Sequence, residues 1–190
     1  MIGNDIVDIS LASTQSNWRR TGFLEKLFSK SEIDLVMRDE CPTIMVWRLW
    51  SMKESAYKAN YRLDKVRKFN PKQLECKLID DQLGEVKIST NLYKIRTEIN
   101  QLYIHSIALK DRFKKSIQQN IHNKGSILNS SELYDLLLQH VAISGNYNKH
   151  ELLLRKTTEF IPELYSSKNK LKTICSLSHH GKYGAYIFTN

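Results

Sequence analysis

Cysteine is scarce and unordered in this chain: Cys41, Cys76 and Cys175 stand far apart with no Cys-x-x-Cys spacing. An odd, scattered set argues against a disulfide framework and a zinc site. It fits thiols kept reduced inside a cell and used as small buried hydrophobes. Long apolar runs are missing too. No stretch approaches the roughly 20 apolar residues that a membrane-spanning helix needs. Met1 leads directly into Ile6-Val7-Ile9 rather than into a leader peptide. A cytoplasmic protein with no membrane attachment is the expectation. The third absence is of clustered basic charge. The net charge is +9, from 29 Lys and Arg against 20 Asp and Glu, yet the basic residues are spread along the sequence and no nucleic-acid motif accompanies them. That distribution speaks against nucleic acid. It leaves a phosphorylated small molecule, an acidic protein or an ordinary solvated surface.

The 190 residues allow one domain or two small ones, with enough chain for a proper core. The spacing of apolar residues predicts a strand at the start, then helices around Gly22–Met37 and Thr43–Tyr61. Ser29-Lys30-Ser31-Glu32 has the Ser-x-x-Glu pattern of a capping box that starts a helix at Lys30. Phe69-Asn70-Pro71 breaks the helical pattern. Strands are expected at Gln73–Ile79, Glu85–Thr90, Lys94–Ile99 and Tyr103–Leu109, with Asp81-Gln82-Leu83-Gly84 as a turn. Asp111–Asn129 is polar, basic and poorly periodic, and reads as a linker or loop. Beyond it, Ser130-Ser131-Glu132 is a plausible cap for an amphipathic helix over Leu133–Ile143. Strands are expected at Leu152–Lys156, Pro162–Tyr165, Thr173–Ser178 and Tyr183–Phe188. The whole reads as α+β in two similar lobes, 1–110 and 130–190, joined by 111–129, each an antiparallel-rich sheet packed with helices.

Two stretches carry chemistry. Gly3-Asn4-Asp5-Ile6-Val7-Asp8-Ile9 is a β-branched run with an acid inside it. In Trp50-Ser51-Met52-Lys53-Glu54-Ser55-Ala56-Tyr57-Lys58, helical spacing puts Trp47, Trp50, Glu54 and Lys58 on one face. If the two segments meet, an acid on a strand would stand beside an acid and a lysine on a helix. Such a set can hold a divalent metal and a phosphate together, since Mg²⁺ takes one or two carboxylates and leaves its other positions to water and phosphate.

Asp5-Ile6-Val7 after a glycine, Phe28-Ser29-Lys30-Ser31-Glu32, Trp50-Ser51-Met52-Lys53-Glu54-Ser55 with Lys58, Phe69-Asn70-Pro71 and Ser176-Leu177-Ser178-His179-His180-Gly181-Lys182-Tyr183 together resemble the signature of the 4′-phosphopantetheinyl transferases. These enzymes move the phosphopantetheine arm of coenzyme A onto a serine of a carrier protein. In the long, two-lobed type of that family the Ser-His segment precedes the Gly-x-Asp strand, whereas here it closes the chain. The resemblance therefore implies a circular permutation of the two-lobed enzyme, acting as a monomer. The rival is the short, trimeric holo-acyl-carrier-protein synthase type, which shares this motif order in a shorter chain.

The resemblance implies Asp5 and Glu54 as Mg²⁺ ligands, with Glu54 also able to take the proton of the acceptor serine. Lys58 is expected on a phosphate, and Ser178 and His179 on the coenzyme A phosphates; Arg48 could reach one as well. Where the two-lobed type often has a third acid, this chain has Val7. Asp8 cannot replace it, because strand side chains alternate and Asp8 should face away from Asp5. Pro162 fits a Gly-x-Pro turn in which Phe160 stands at the glycine position and Ile161 at the usual basic one. Lys156 or Lys182 could supply the missing contact. His180 has no counterpart, and Trp47 and Trp50 read as packing at the lobe interface. The expected activity is Mg²⁺-dependent conversion of an apo carrier protein to its holo form. The alternative is a non-catalytic basic module that binds carrier protein or nucleic acid.

Overall fold

A computed structural model of the chain describes residues 1–110, 113, 115–167 and 169–190. Eleven strands and five α-helices are found among them. The first lobe opens with β1 (Ile2–Asp8), passes through α1 (Ile9–Gln15), α2 (Phe23–Leu27) and α3 (Lys30–Arg38), and reaches the long α4 (Pro42–Asp64). Two antiparallel hairpins follow, β2 (Leu74–Leu78) with β3 (Leu83–Ile88), then β4 (Asn91–Ile99) with β5 (Tyr103–Lys110). β5 returns to β1, with Asp5 opposite Ser106, which completes a sheet of order β1-β5-β4-β3-β2. The second lobe repeats the plan. β6 (Ile117–Asn123) leads into α5 (Ser130–Gly145), then β7 (Leu152–Lys156) and β8 (Pro162–Ser166) with the short β9 (Asn169–Lys170), and the hairpin of β10 (Cys175–His180) and β11 (Tyr183–Thr189). Here β11 returns to β6. The sheet is divided in this lobe, into β10-β11-β6 and β7-β8-β9. The α+β class and the two lobes of similar plan are thus present.

Local chemistry accounts for most of the element ends. Ser29 caps α3, its hydroxyl accepting from the Glu32 amide while Glu32 Oε2 accepts from the Ser29 amide at 2.8 Å. α5 starts earlier than expected because Asn129, not a serine, is the cap and exchanges the same pair of bonds with Glu132. α1 was not anticipated. Asp8 nucleates it, its Oδ1 accepting from the Leu11 amide at 3.2 Å. The expected linker over 111–129 is partly a strand: β6 pairs along its length with β11, whose apolar residues reward a partner that is itself too polar to advertise one. Asp111, Arg112 and Lys114 of that segment lie outside the described residues.

β1 is the strand on which the site depends, and all seven of its residues are buried. One edge pairs with β5. The other is covered by β10, whose side chains accept from the outward amides: Ser176 Oγ from Asn4 N at 3.0 Å and His180 Nδ1 from Asp8 N at 2.9 Å. An edge strand with open amides invites mispairing, and this one is closed by the second lobe. Ile2, Ile107 and Ile187 share one cluster, so the first and last strands of the chain pack against each other.

Candidate active site

Gly3 sets the distance between β1 and α4. A Cβ there would collide with the Ser55 carbonyl oxygen and the Ala59 amide nitrogen, so only glycine lets strand and helix approach this closely. Ser51 Oγ then donates to the Asp5 carbonyl at 3.2 Å. At that separation Lys58 Nζ reaches Asp5 Oδ1 at 2.8 Å and the Asn4 carbonyl at 3.0 Å. Glu54, one turn earlier on α4, faces the same space. Burial pushes its carboxyl up to about 7, with the Asp5 charge adding to the rise and Lys58 opposing it.

The second lobe supplies the facing wall. The side-chain Nδ2 of Asn4 donates to the Ala185 carbonyl at 3.1 Å and to His105 Nε2 of β5 at 3.3 Å, with Ser178 Oγ 3.5 Å away. An amide nitrogen can only donate, so His105 accepts through Nε2 and is neutral; burial drives its pKa down to about 4. His179 Nε2 lies 3.0 Å from Ser130 Oγ in the first turn of α5. Gly181 turns the β10–β11 hairpin at φ 58, where a Cβ would strike the Asp8 carboxylate, and this lets the Lys182 amide donate to Asp8 Oδ2 at 3.3 Å. Asp8 is therefore engaged by α1 and this hairpin, on the opposite side of β1 from Asp5.

Two cavities meet at Asp5 and His179. The first, about 390 Å³, is basic: Lys58 and Arg62 of α4 face Lys156, Ser178 and His179, with Tyr57, Tyr61, Tyr134 and Phe160 between them. The second, about 440 Å³, is mostly apolar, with Val7, Phe23, Trp47 and Trp50 in its walls, and Glu54 and His180 beside them. The carboxylate pair thus stands between a hollow suited to phosphates and an apolar trough.

The structure brings Asp5, Glu54, Lys58, Ser178 and His179 together. Arg48 is not with them. It lies six residues before Glu54, about 240° around the helix at about 100° per residue. It donates instead to the Asp80 carbonyl and lines a separate cavity with Asp39, Asp81 and Arg96. Lys156 lines the basic cavity, whereas Lys182 lies over the Tyr183 ring and does not. His180 is no bystander, since it covers the Asp8 amide and lines the apolar trough. Trp47 packs on Phe23 and Trp50 on Phe69 within the first lobe, and both also line the trough that His179 and His180 of the second lobe share. Phe160 holds φ 63, the left-handed region where glycine is at ease, as its place in the Gly-x-Pro pattern implies.

Arg62, Tyr61 and Ser130 were missed by sequence reasoning. Arg62 had a signal, since Glu54, Lys58 and Arg62 continue one four-residue spacing. Its guanidinium donates to the carbonyls of Pro162, at 3.2 Å, and Cys175. Tyr61 donates to the Glu159 carbonyl at 2.9 Å. Nothing in the sequence links Ser130 to His179.

The residues present fit a hard divalent cation in one respect and are sparse in another. Two carboxylates, one of them held partly protonated by burial and by the other's charge, face a single space, which a cation would neutralise. Among the described residues no group of three or more His, Cys, Asp and Glu side chains is arranged to hold a metal ion, and Val7 is buried carbon where a third acid could stand. Such a pair suits Mg²⁺, which draws its remaining oxygens from water and phosphate. No described helix is long and apolar enough to cross a membrane. No curated protein matches the chain significantly. A family model described as the 4′-phosphopantetheinyl transferase superfamily matches residues 1–117, well over half of the 190. That stretch contains β1, α4 and the Asp5–Glu54–Lys58 set, and the chain belongs to the 4′-phosphopantetheinyl transferase superfamily.

Proposed function

We propose that this transferase moves 4′-phosphopantetheine from coenzyme A to a serine of an apo acyl or peptidyl carrier protein, releasing 3′,5′-ADP, with Mg²⁺ at Asp5 and Glu54. The observation that carries this reading is the junction of the two cavities at Asp5 and His179, with Glu54 beside it. In the basic cavity Lys58, Arg62, Lys156 and His179 offer donors to the phosphates of coenzyme A. The seryl oxygen attacks the phosphorus that bears the pantetheine arm and the bond to the 3′,5′-ADP oxygen breaks. The serine proton passes to the Glu54 carboxylate, which acts as the general base. Mg²⁺ would neutralise charge on the pyrophosphate and on the leaving nucleotide.

Both walls of the cleft belong to this one polypeptide, which supports a permuted two-lobed enzyme working as a monomer. The basic surface suits an acidic carrier as well as a polyanionic co-substrate. The test is the mass of an apo carrier protein after incubation with the enzyme, coenzyme A and Mg²⁺. A shift by one phosphopantetheine is expected, and an unchanged mass across a panel of fatty-acid, polyketide and peptide carriers defeats the proposal.

A further inference from the structure

Arg48 is a buried cation without an anion. It is 6% exposed, its Nε has no hydrogen-bond partner, and among the described residues it forms no ion pair. Asp80 gives it a carbonyl and not a carboxylate, because Asp80 Oδ1 is taken by the amides of Gln82 and Leu83 at 2.8 and 2.6 Å. Burial pushes the Arg48 pKa down, with the charges of Asp81, Asp80 and Asp39 opposing. A guanidinium has five donors, and burying it unpaired destabilises the fold. Departures from local pairing of that kind are expected where a ligand binds.

Arg48 lines a cavity of about 540 Å³, room for a small molecule rather than a lone ion. This cavity shares no lining residue with the two that meet at Asp5. Both lobes build it: Asp39 follows α3, Asp81 sits in the β2–β3 turn, and Arg96 of β4 donates to Gln119 of β6. Its charges are of both signs, Arg48 and Arg96 against Asp39, Asp81 and Glu98. A polyanion such as phosphate meets three carboxylates there and is repelled. A molecule with one carboxylate and one ammonium group finds an opposite charge for each end. Ile44, Met45 and Ile99 complete the lining and suit an apolar body beside those ends. We propose that this cavity is a second ligand site, in which Arg48 receives the carboxylate of a small apolar amino acid and the surrounding acids receive its ammonium group. The site is independent of the transfer chemistry proposed above.

Nuclear magnetic resonance on the isotope-labelled full chain tests this with three probes: L-leucine, isocaproate, which lacks the ammonium group, and L-leucinamide, which lacks the carboxylate. The readout is the Arg48 Nε–H resonance, which Arg48→Lys removes and so identifies. Leucine at millimolar concentration should shift it saturably, and each of the other two should bind at least about tenfold more weakly. Asp39→Asn combined with Asp81→Asn should bring leucine down toward isocaproate, and Arg48→Met should abolish leucine binding in calorimetry. The comparison of probes is made on the unaltered chain, so it decides the matter even if Arg48→Met fails to fold. Equal binding of leucine and isocaproate overturns the amino-acid reading. A leucine shift that does not saturate, or calorimetric binding that survives Arg48→Met, overturns the site itself, and neither result touches the transferase reading.

Discussion

Glu54 and His105 sit within one turn or strand of the same few residues, and their titrations work against each other. Glu54 is raised to about 7 in the folded chain, so the folded state holds its proton more tightly than the unfolded one. Stability from that proton is present at low pH and fades as pH rises through 7. His105 is lowered to about 4, so the unfolded state takes up its proton first, and stability fades as pH falls from about 6.5 toward 4. Each effect is worth about 3 kcal/mol at 1.36 kcal/mol per unit, and over the shared window they largely cancel. Metal-free denaturant unfolding between pH 7 and pH 4 should therefore separate two variants. Glu54→Gln should lose stability on acidification and His105→Gln should gain it, and parallel behaviour of the two would refute both assignments. In the transfer assay Glu54→Gln should lose about a hundredfold or more in rate, as loss of a general base does, while unfolding no more easily than the parent at pH 7.

At the scale of elements, the site is a consequence of how closely β1 lies on α4 and how firmly α4 is held beneath. Gly3→Ala puts a methyl group into two backbone atoms of the helix, which cannot retreat as a side chain would. A cost of about 1–3 kcal/mol is expected, with transfer falling further than stability because Asp5 is displaced from Lys58. On the other side of the helix Lys53 is fully buried, 2.7 Å from Glu32 Oε2, and it also donates to the carbonyls of Leu27 and Pro71. That ammonium ties α2, α3 and the turn after α4 to the residue next to Glu54. Lys53→Met should destabilise by about 3–5 kcal/mol, because it strands the Glu32 charge. Adding Glu32→Gln, which keeps the α3 cap, should restore part of the loss. Simple additivity of the two changes in chemical denaturation would show that the pair is not coupled.

For the whole molecule the question is whether one chain suffices. The acids and Lys58 come from the first lobe, Ser178 and His179 from the second, and Arg62 and Tyr61 cross between them. Specific activity should accordingly hold constant on dilution, and the active species should sediment as a monomer. Activity that declines as an oligomer dissociates would instead assign the cleft to a subunit interface.

Much of this was legible in the residues themselves. Periodicity located α4 and most of the strands, the Ser29–Glu32 box started α3, and the four-residue spacing aligned Glu54 with Lys58, because these depend on neighbours within one or two turns of backbone. β6 was not legible, since a polar strand is defined by its partner β11. Nor was α1, whose seven residues rest on one aspartate cap. Arg48 shares a helix with Glu54 and still lies in another cavity, which depends on angle around the helix rather than proximity along it. The meeting of Asp5 with His179, and of Ser130 with His179, was decided only in three dimensions. Juxtapositions of residues 174 or 49 positions apart follow from how two lobes dock, and no local preference along the chain encodes that.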